Sequence, residues 1–95
     1  MKKVIKTPKQ LERHFKGVAN HRRIEILLLV AESNGVSLED ITENLGCNIK
    51  TISEHARRLA QSGLIHKEYQ GRRVIHTLSP YGRIFYRFLQ TFSHS

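Results

Sequence analysis

A glycine between two short amphipathic segments constrains the fold of this chain more than any other feature of the sequence. Before Gly46, apolar residues recur at helical spacing, and they are Leu38, Ile41 and Leu45. After Gly46, apolar residues recur at spacings of four and three, and they are Ile52, Ala56 and Leu59. The pattern predicts two short helices that meet at a tight turn.

Capping residues define the ends of these two helices. Ser37, followed by Asp40 three residues later, is typical of the start of the first helix. Asn48 is placed to cap the second helix, because its side-chain oxygen can accept a hydrogen bond from the first turn. Gly63 follows at the usual position of a left-handed residue. We therefore expect the second helix to cover residues 48–61.

A β-hairpin is predicted directly after the second helix. Residues 64–70 and 73–78 form its strands, and Gly71-Arg72 is the predicted turn. Pairing about this turn places four apolar residues on one face, with Ile65 opposite Leu78 and Tyr69 opposite Val74. A slip of one residue would separate them, so the pattern favours this register.

The chain before this unit is predicted to form two helices and a brief strand. Thr7-Pro8-Lys9-Gln10 combines a cap, a proline suited to the first helical position and a glutamine that closes a capping box. A first helix is therefore expected over residues 8–19. A second helix begins after Asn20 and ends at Ser33-Asn34-Gly35, and its predicted apolar stripe is Ile24, Leu27, Leu28 and Ala31. Val36 is expected in a short strand.

The chain after the hairpin is predicted to form one helix over residues 80–92, opened by Ser79-Pro80. Its apolar residues make a continuous stripe of Tyr81, Ile84, Phe85, Phe88, Leu89 and Phe92. The expected fold class is mainly α with a small β-hairpin, in one domain over residues 1–95. The predicted order is helix, helix, short strand, helix, helix, hairpin and helix.

Charge and composition limit the partners of the chain. Sixteen Lys and Arg against eight Asp and Glu leave a net charge of +8, which attracts a polyanion such as nucleic acid. On charge alone, an acidic membrane surface or ribosomal RNA is an alternative. The longest apolar run, residues 26–31, is too short to span a bilayer, and the start of the sequence does not read as a signal peptide. One cysteine excludes an internal disulfide, so we expect a cytoplasmic protein.

The helix pair and the hairpin together predict a winged helix-turn-helix that binds double-stranded DNA. Each part alone is also typical of an ordinary helical protein or a solvated turn, but a basic helix followed by an arginine-tipped hairpin favours DNA. Residues expected at base edges are Ile49, Lys50, Ser53 and Glu54. Residues expected at phosphates or in the wing are Thr51, Arg57, Arg58, Lys67, Arg72 and Arg73. Glu54 is equally consistent with an ion pair to Arg57 or Arg58.

The sequence also resembles the ArsR-type winged-helix repressors. The segment similar to their opening pattern, A-[ND]-x-x-R-x-x-I-L, lies within residues 14–27. The segments similar to T-V-S-x-H-L-x-x-L…x-G-L-V are residues 51–59 and 62–65, although Ala56 stands where the family usually has leucine. The wing at residues 71–74 fits as well. The resemblance implies a dimeric bacterial or archaeal transcriptional repressor whose first and last helices build the dimer interface.

The apolar stripe of the last helix supports this expectation of a homodimer. It exceeds what a chain of 95 residues needs to cover its own core, although covering that core is the alternative interpretation. The residues expected in the dimer interface are Leu11, Phe15, Tyr81, Phe85, Phe88, Leu89 and Phe92.

No metal site or cofactor is expected. Metal sensors of the resembled family carry cysteines in the helix before the recognition helix, or Asp/His pairs in the last helix. Residues 38–44 contain no cysteine, and the last helix contains no Asp, Glu or His before His94. The predicted register places His66 and His76 on opposite faces of the hairpin.

Two further residues have a structural and a functional interpretation. Cys47 is expected to be a small buried apolar residue, with a redox sensor as the alternative. His55 is expected to pack and hydrogen-bond within the helix-turn-helix rather than bind a ligand.

Three other functions compete with a sequence-specific regulator. An enzyme is not expected, because the sequence shows no nucleophile-base pair, phosphate loop or metal triad. A protein that coats DNA without sequence preference is an alternative, and a winged helix used for protein contacts is another. The operator, the effector and the choice between repressor and activator stay open.

Overall fold

The computed structural model describes residues 5–33 and 35–94, which form five helices and three strands. The elements are α1 (Pro8–Val18), α2 (His21–Ser33), β1 (Val36–Ser37), α3 (Leu38–Leu45), α4 (Ile49–Gln61), β2 (Ile65–Gln70), β3 (Arg73–Leu78) and α5 (Pro80–Ser93). The predicted mainly α fold and its order of elements are confirmed.

Short polar side chains start the helices as the sequence predicts. Thr7 and Gln10 form the complete capping box of α1, with each side chain bonded to the other residue's backbone N–H. The Ser37 hydroxyl accepts a hydrogen bond from the Asp40 N–H at 3.1 Å, which caps α3. The Asp40 carboxylate, however, pairs with Arg73 of β3, 3.3 Å away. The first turn of α3 is therefore capped by Ser37 and joined to the hairpin by an ion pair.

The three strands form an antiparallel sheet in the order β1-β3-β2. The predicted register of the hairpin is confirmed, since Ile65 pairs with Leu78 and Tyr69 with Val74. Val36 pairs with His76, which adds the short strand to the far edge of β3. The His76 ring is buried and donates from Nδ1 to the Val36 carbonyl at 3.2 Å. This side-chain bond reinforces a strand that is only two residues long.

The core lies around α2, which packs against α1, α3, α4, α5 and β3. The predicted apolar stripe of α2 is wrong in part, because its buried residues are Ile26, Leu27 and Val30. Ile24, Leu28 and Ala31 are only partly buried. Residues 26–31 are apolar on every side of the helix, so periodicity does not identify the inward face. The neighbouring elements decide it instead.

The first turn of α5 packs closely against the start of the hairpin. The Ser79 hydroxyl accepts from the Gly82 N–H at 3.0 Å and donates to the Gly63 carbonyl at 2.6 Å. The Ser79 N–H donates to the Leu64 carbonyl at 3.1 Å. A Cβ on Gly82 would lie only 2.0 Å from that carbonyl oxygen, so glycine is required for this approach.

Candidate nucleic-acid interface

The turn between α3 and α4 fixes the start of α4. Gly46 adopts the left-handed conformation with φ of 65°, and its N–H donates to the Thr42 carbonyl at 2.9 Å. The Asn48 side chain accepts from the Lys50 N–H at 2.8 Å, which caps α4 as predicted. Ile41 of α3 and Ile52 of α4 are fully buried. The two helices are therefore anchored at both the turn and the core.

One face of α4 is buried and the opposite face is open to solvent. The buried residues are Ile52, Ala56 and Leu59, as the sequence predicts. The exposed residues are Ile49, Lys50, Thr51, Ser53, Glu54, Arg57, Arg58 and Gln61, which include every α4 residue expected at DNA. Ile49 is 45% exposed although it is apolar, and it stands in the first turn of the helix. This face is accessible to a groove along its whole length.

A carboxylate and two guanidinium groups form an ion cluster on this face. Glu54 accepts from Arg57 through two hydrogen bonds, Nε to Oε2 at 3.0 Å and Nη2 to Oε1 at 2.5 Å. Arg58 adds one bond from Nε to Oε1 at 3.2 Å. Hydrogen bonding to Arg57 lowers the pKa of Glu54, and the same bonds raise the pKa of Arg57. Glu54 and Arg57 are therefore charged at neutral pH, and the predicted ion pair forms to both arginines.

The hairpin presents its basic residues on two different faces. Gly71 begins the turn with φ of 63°, and Arg72 is exposed at the tip. Arg73 is exposed but paired with Asp40. Lys67 is half-buried and pairs with His76, four residues from the turn, so the pleat directs it away from the face of Arg73. The structure therefore brings Arg72 and Arg73 together at the tip but not Lys67.

Tyr69 is a wing residue that the sequence analysis placed only in the apolar pairing. It shares a face with Ile65 as predicted, yet it is 76% exposed because the hairpin extends beyond the core at that point. The position of Tyr69 next to the turn is the sequence signal for its exposure, since the outer residues of a hairpin that extends beyond the core are uncovered. An aromatic ring is thus exposed near the tip of the hairpin, on the face opposite to that of Arg73.

The helix α1 contacts the C-terminal end of α4, which the sequence analysis did not predict. The Arg13 guanidinium donates from Nη2 to the Gln61 carbonyl at 3.0 Å. The buried His14 ring donates from Nδ1 to the Ser62 carbonyl at 2.6 Å. Gly17 packs so closely that a Cβ there would lie 2.1 Å from the Ser62 hydroxyl oxygen. These contacts satisfy carbonyl groups that every helix leaves free at its last turn.

His55 connects α4 to α2 rather than packing only within the helix-turn-helix. It is half-buried, and its Nδ1 accepts from the Arg23 guanidinium at 3.3 Å. Burial lowers the pKa of His55, and the neighbouring Arg23 charge lowers it further. The same guanidinium donates from Nη2 to the Lys16 carbonyl at 3.3 Å. Arg23 therefore links α1, α2 and α4.

Most of the residues expected in a dimer interface form one apolar surface across α1 and α5. Phe85 and Leu89 are half-buried against the core, so they also contribute to the packing of a single chain. The exposed members are Leu11, Phe15, Tyr81, Phe88 and Phe92. Phe15 meets Phe85 edge-to-face with ring centroids 5.2 Å apart. A cleft of about 350 Å³ lies between the two helices.

The remaining sequence expectations concern metals, thiols and membranes. Within residues 5–33 and 35–94, no three His, Cys, Asp or Glu side chains lie close enough together to hold a metal ion. The register places His66 and His76 on opposite faces, as expected. Cys47 is half-buried and packs against the core. None of the described helices has the length and apolar character needed to cross a membrane.

Comparison with known proteins identifies the family. The sequence profile described as HVO_A0114 matches residues 18–86, well over half of the chain. The chain belongs to the HVO_A0114 family. The match to HVO_A0114 begins at Val18 and ends at Tyr86, so it covers the helix-turn-helix and the hairpin but little of α1. No curated protein sequence matches the chain.

Solved structures confirm the winged helix-turn-helix fold of this HVO_A0114 chain. HlyU from Vibrio cholerae N16961 superposes with a TM-score of 0.85 at 22% identity, over 97% of this chain and 100% of that one. A second similar structure is the homodimeric winged helix-turn-helix DNA-binding domain of Mb0332 from Mycobacterium bovis, a possible ArsR-family transcriptional regulator. It superposes with a TM-score of 0.83 at 23% identity, over 97% of this chain and 91% of that one. The ArsR family regulator RHA00566 superposes with a TM-score of 0.70 at 18% identity, over 97% of this chain and 98% of that one. The expected resemblance to ArsR-type regulators is therefore confirmed for the fold.

Proposed function

We propose that this chain is a sequence-specific transcriptional regulator that folds as one winged-helix domain and binds double-stranded DNA as a dimer. The observation that carries the proposal is the exposed, capped and basic face of α4 beside an arginine-tipped hairpin. A major groove about 12 Å wide admits one α-helix of this kind. The net charge of +8 supplies the general attraction to phosphates. The resemblance to the Mb0332 DNA-binding domain supports the same function.

The side chains of α4 divide by their depth in the groove. Lys50 is placed to donate to guanine O6 and N7, Ile49 to contact a thymine methyl group, and Ser53 to bond either kind of base edge. Thr51 and Arg58 of α4 approach phosphates instead. On the hairpin, Arg72 and Arg73 do so at the tip, and Lys67 does so from the opposite face. Arg73 exchanges its Asp40 partner for a phosphate, which costs little because both groups are exposed.

The apolar surface across α1 and α5 is proposed to bury itself against a second copy of the chain. Exposed aromatic residues that adjoin one another on a surface mark interaction sites more often than scattered ones do. A two-fold pair would present two α4 helices to half-sites about one helical turn of DNA apart. A repressor acts in this way by occupying a palindromic operator. Mb0332, a neighbour in fold, is homodimeric.

Selection of bound duplexes from a random pool tests this proposal directly. A palindromic consensus with half-sites one helical turn apart is the expected result. Binding without enrichment, with a steep dependence on salt, would instead indicate a protein that coats DNA. Absence of binding at low salt would indicate a winged helix that contacts proteins. A variant with both Arg72 and Arg73 replaced by alanine is the control, because it should bind every duplex more weakly without changing the consensus.

A further inference from the structure

The two hydrogen bonds between Arg57 and Glu54 fix a guanidinium plane on the open face of α4. Arg57 uses Nε and one N–H of Nη2 for these bonds, at 3.0 Å and 2.5 Å. A guanidinium carries five N–H donors in a rigid fork, so three donors, two on Nη1 and one on Nη2, make no hydrogen bond to another described residue. These free donors lie on the outer edge of the fork. The fork is thus oriented by the protein before any ligand arrives.

The position of this fork follows from the helix geometry. Glu54 stands three residues before Arg57, so the bonds draw the guanidinium back toward the N-terminus of α4. Side chains on helices lean in that direction in any case. Lys50 lies four residues before Glu54 on the same exposed face. The free edge of Arg57 therefore lies beside the residues expected at base edges rather than beyond them.

We propose that Arg57 reads a guanine through its free edge and that Glu54 is a positioning residue that holds the guanidinium plane. Two parallel donors match guanine O6 and N7, the commonest arginine contact to a base in the major groove. The proposal exchanges the roles that the sequence suggested, in which Glu54 contacts a base and Arg57 a phosphate. It rests on the proposed function, because it requires α4 to enter the major groove.

The charge of Glu54 explains why the pair discriminates between bases instead of adding general affinity. The Glu54 carboxylate lies beside the free edge of Arg57, so it would repel a phosphate that approached that edge. An acidic group near DNA repels the backbone, so it lowers binding to every sequence. Where guanine accepts two of the free donors, the oriented guanidinium makes two bonds without losing further side-chain freedom. The carboxylate thus weakens random binding and keeps specific binding.

Arg58 provides a matched contrast within the same cluster. Its guanidinium makes only one bond to Glu54, at 3.2 Å, and its side chain is 57% exposed against 49% for Arg57. It stands one residue further round the helix, so it projects from the other side of the exposed face. Arg58 is therefore free to turn to a phosphate, and it carries the same charge as Arg57.

The test compares three variants on the consensus found by selection and on duplexes in which each G·C pair is changed in turn. Arg57→Ala should lose about 5- to 150-fold discrimination at one G·C pair, the equivalent of 1–3 kcal/mol. Replacing that guanine with 7-deazaguanine should weaken the wild type but not Arg57→Ala. Glu54→Gln should lose discrimination at the same pair while its affinity for random DNA rises. Arg58→Ala should weaken binding to all duplexes equally.

Three results would overturn the inference. A uniform loss of affinity in Arg57→Ala would show a phosphate contact, and a change of preference at a different base pair in Glu54→Gln would show that Glu54 itself reads a base. Failure of the wild type to enrich any sequence would overturn the proposed function and the inference with it. If the wild type enriches a sequence but Arg57→Ala or Glu54→Gln gives the contrary result, the inference is overturned and the proposed function stands. Thermal unfolding checks that each variant folds, which is expected because the three side chains are exposed.

Discussion

Replacing Gly82 with alanine tests how α5 is held against the hairpin. A Cβ at this position would lie 2.0 Å from the Leu64 carbonyl oxygen and 3.2 Å from Leu78 Cδ2. The nearest atom belongs to the backbone, so no side-chain rotation can relieve the contact. The first turn of α5 must move away from β2, and the hydrogen bond from the Ser79 N–H to the Leu64 carbonyl lengthens with it.

The substitution has opposing effects on the free energy of unfolding, and they differ enough to predict whether that free energy rises or falls. Alanine favours a helix over glycine by about 1 kcal/mol. Overpacking costs about 1–3 kcal/mol, and a weakened hydrogen bond costs roughly 1 kcal/mol more. The free energy of unfolding of Gly82→Ala should therefore fall by about 1–3 kcal/mol. For a domain of this size, that change lowers Tm by about 4–8 °C for each kcal/mol.

Urea unfolding followed by circular dichroism measures the effect, at one protein concentration because the proposed association would also contribute to stability. Gly46→Ala is the control. It introduces a side chain at φ of 65° with no atom within 4 Å, so only the backbone cost of about 1 kcal/mol applies. Stability of Gly82→Ala equal to or above that of the wild type would refute the close approach of α5 to Leu64.

Four other perturbations have defined outcomes. Lys50→Ala should weaken specific binding by about 1–3 kcal/mol at one base position, and equal losses on specific and random DNA would exclude base reading by Lys50. Alanine at both Arg72 and Arg73 should instead weaken binding to all sequences and reduce the slope of log affinity against log salt by about 2. Phe88→Glu should give a monomeric mass in light scattering, and an unchanged dimeric mass would move the interface elsewhere. Burial lowers the pKa of His76 below its usual 6.5, so the unfolded state binds the proton more readily. Stability should therefore be full above pH 6.5 and decline as the pH falls toward the lower folded-state pKa; a flat urea midpoint between pH 7 and pH 5 would contradict this.

Local signals predicted the elements whose neighbours are close in sequence. The hairpin register followed from the two-residue period of a strand and a two-residue turn, which together allow only one pairing that keeps Ile65 and Leu78 on the same face. The bounds of α4 followed from Asn48 and Gly63, because caps act within one turn of the helix end. The inward face of α2 could not be predicted in this way, since Leu28 and Val30 are equally apolar and only the packed neighbours distinguish them.

The same limit applies to the candidate site. Exposure of the polar face of α4 follows from the burial of Ile52, Ala56 and Leu59, so the sequence predicts which side chains can reach DNA. Their orientation depends on partners. Glu54 could be assigned to a base or to an arginine until the distances to both arginines were known. The bonds from α1 to the end of α4 join residues 48 positions apart, and no local pattern encodes them.

These bonds connect the apolar surface to the recognition helix through a single element. Leu11 and Phe15 lie on the exposed side of α1, and Arg13 and His14 contact the carbonyl groups that end α4. Since α1 is a continuous helix of 11 residues, a displacement at one side carries the other side with it. A second copy bound through Leu11 and Phe15 would therefore set the distance between the two α4 helices directly. In the proposed dimer, the way α1 is held would therefore set the spacing of the two half-sites, and a change in that contact would change the operators that the pair fits.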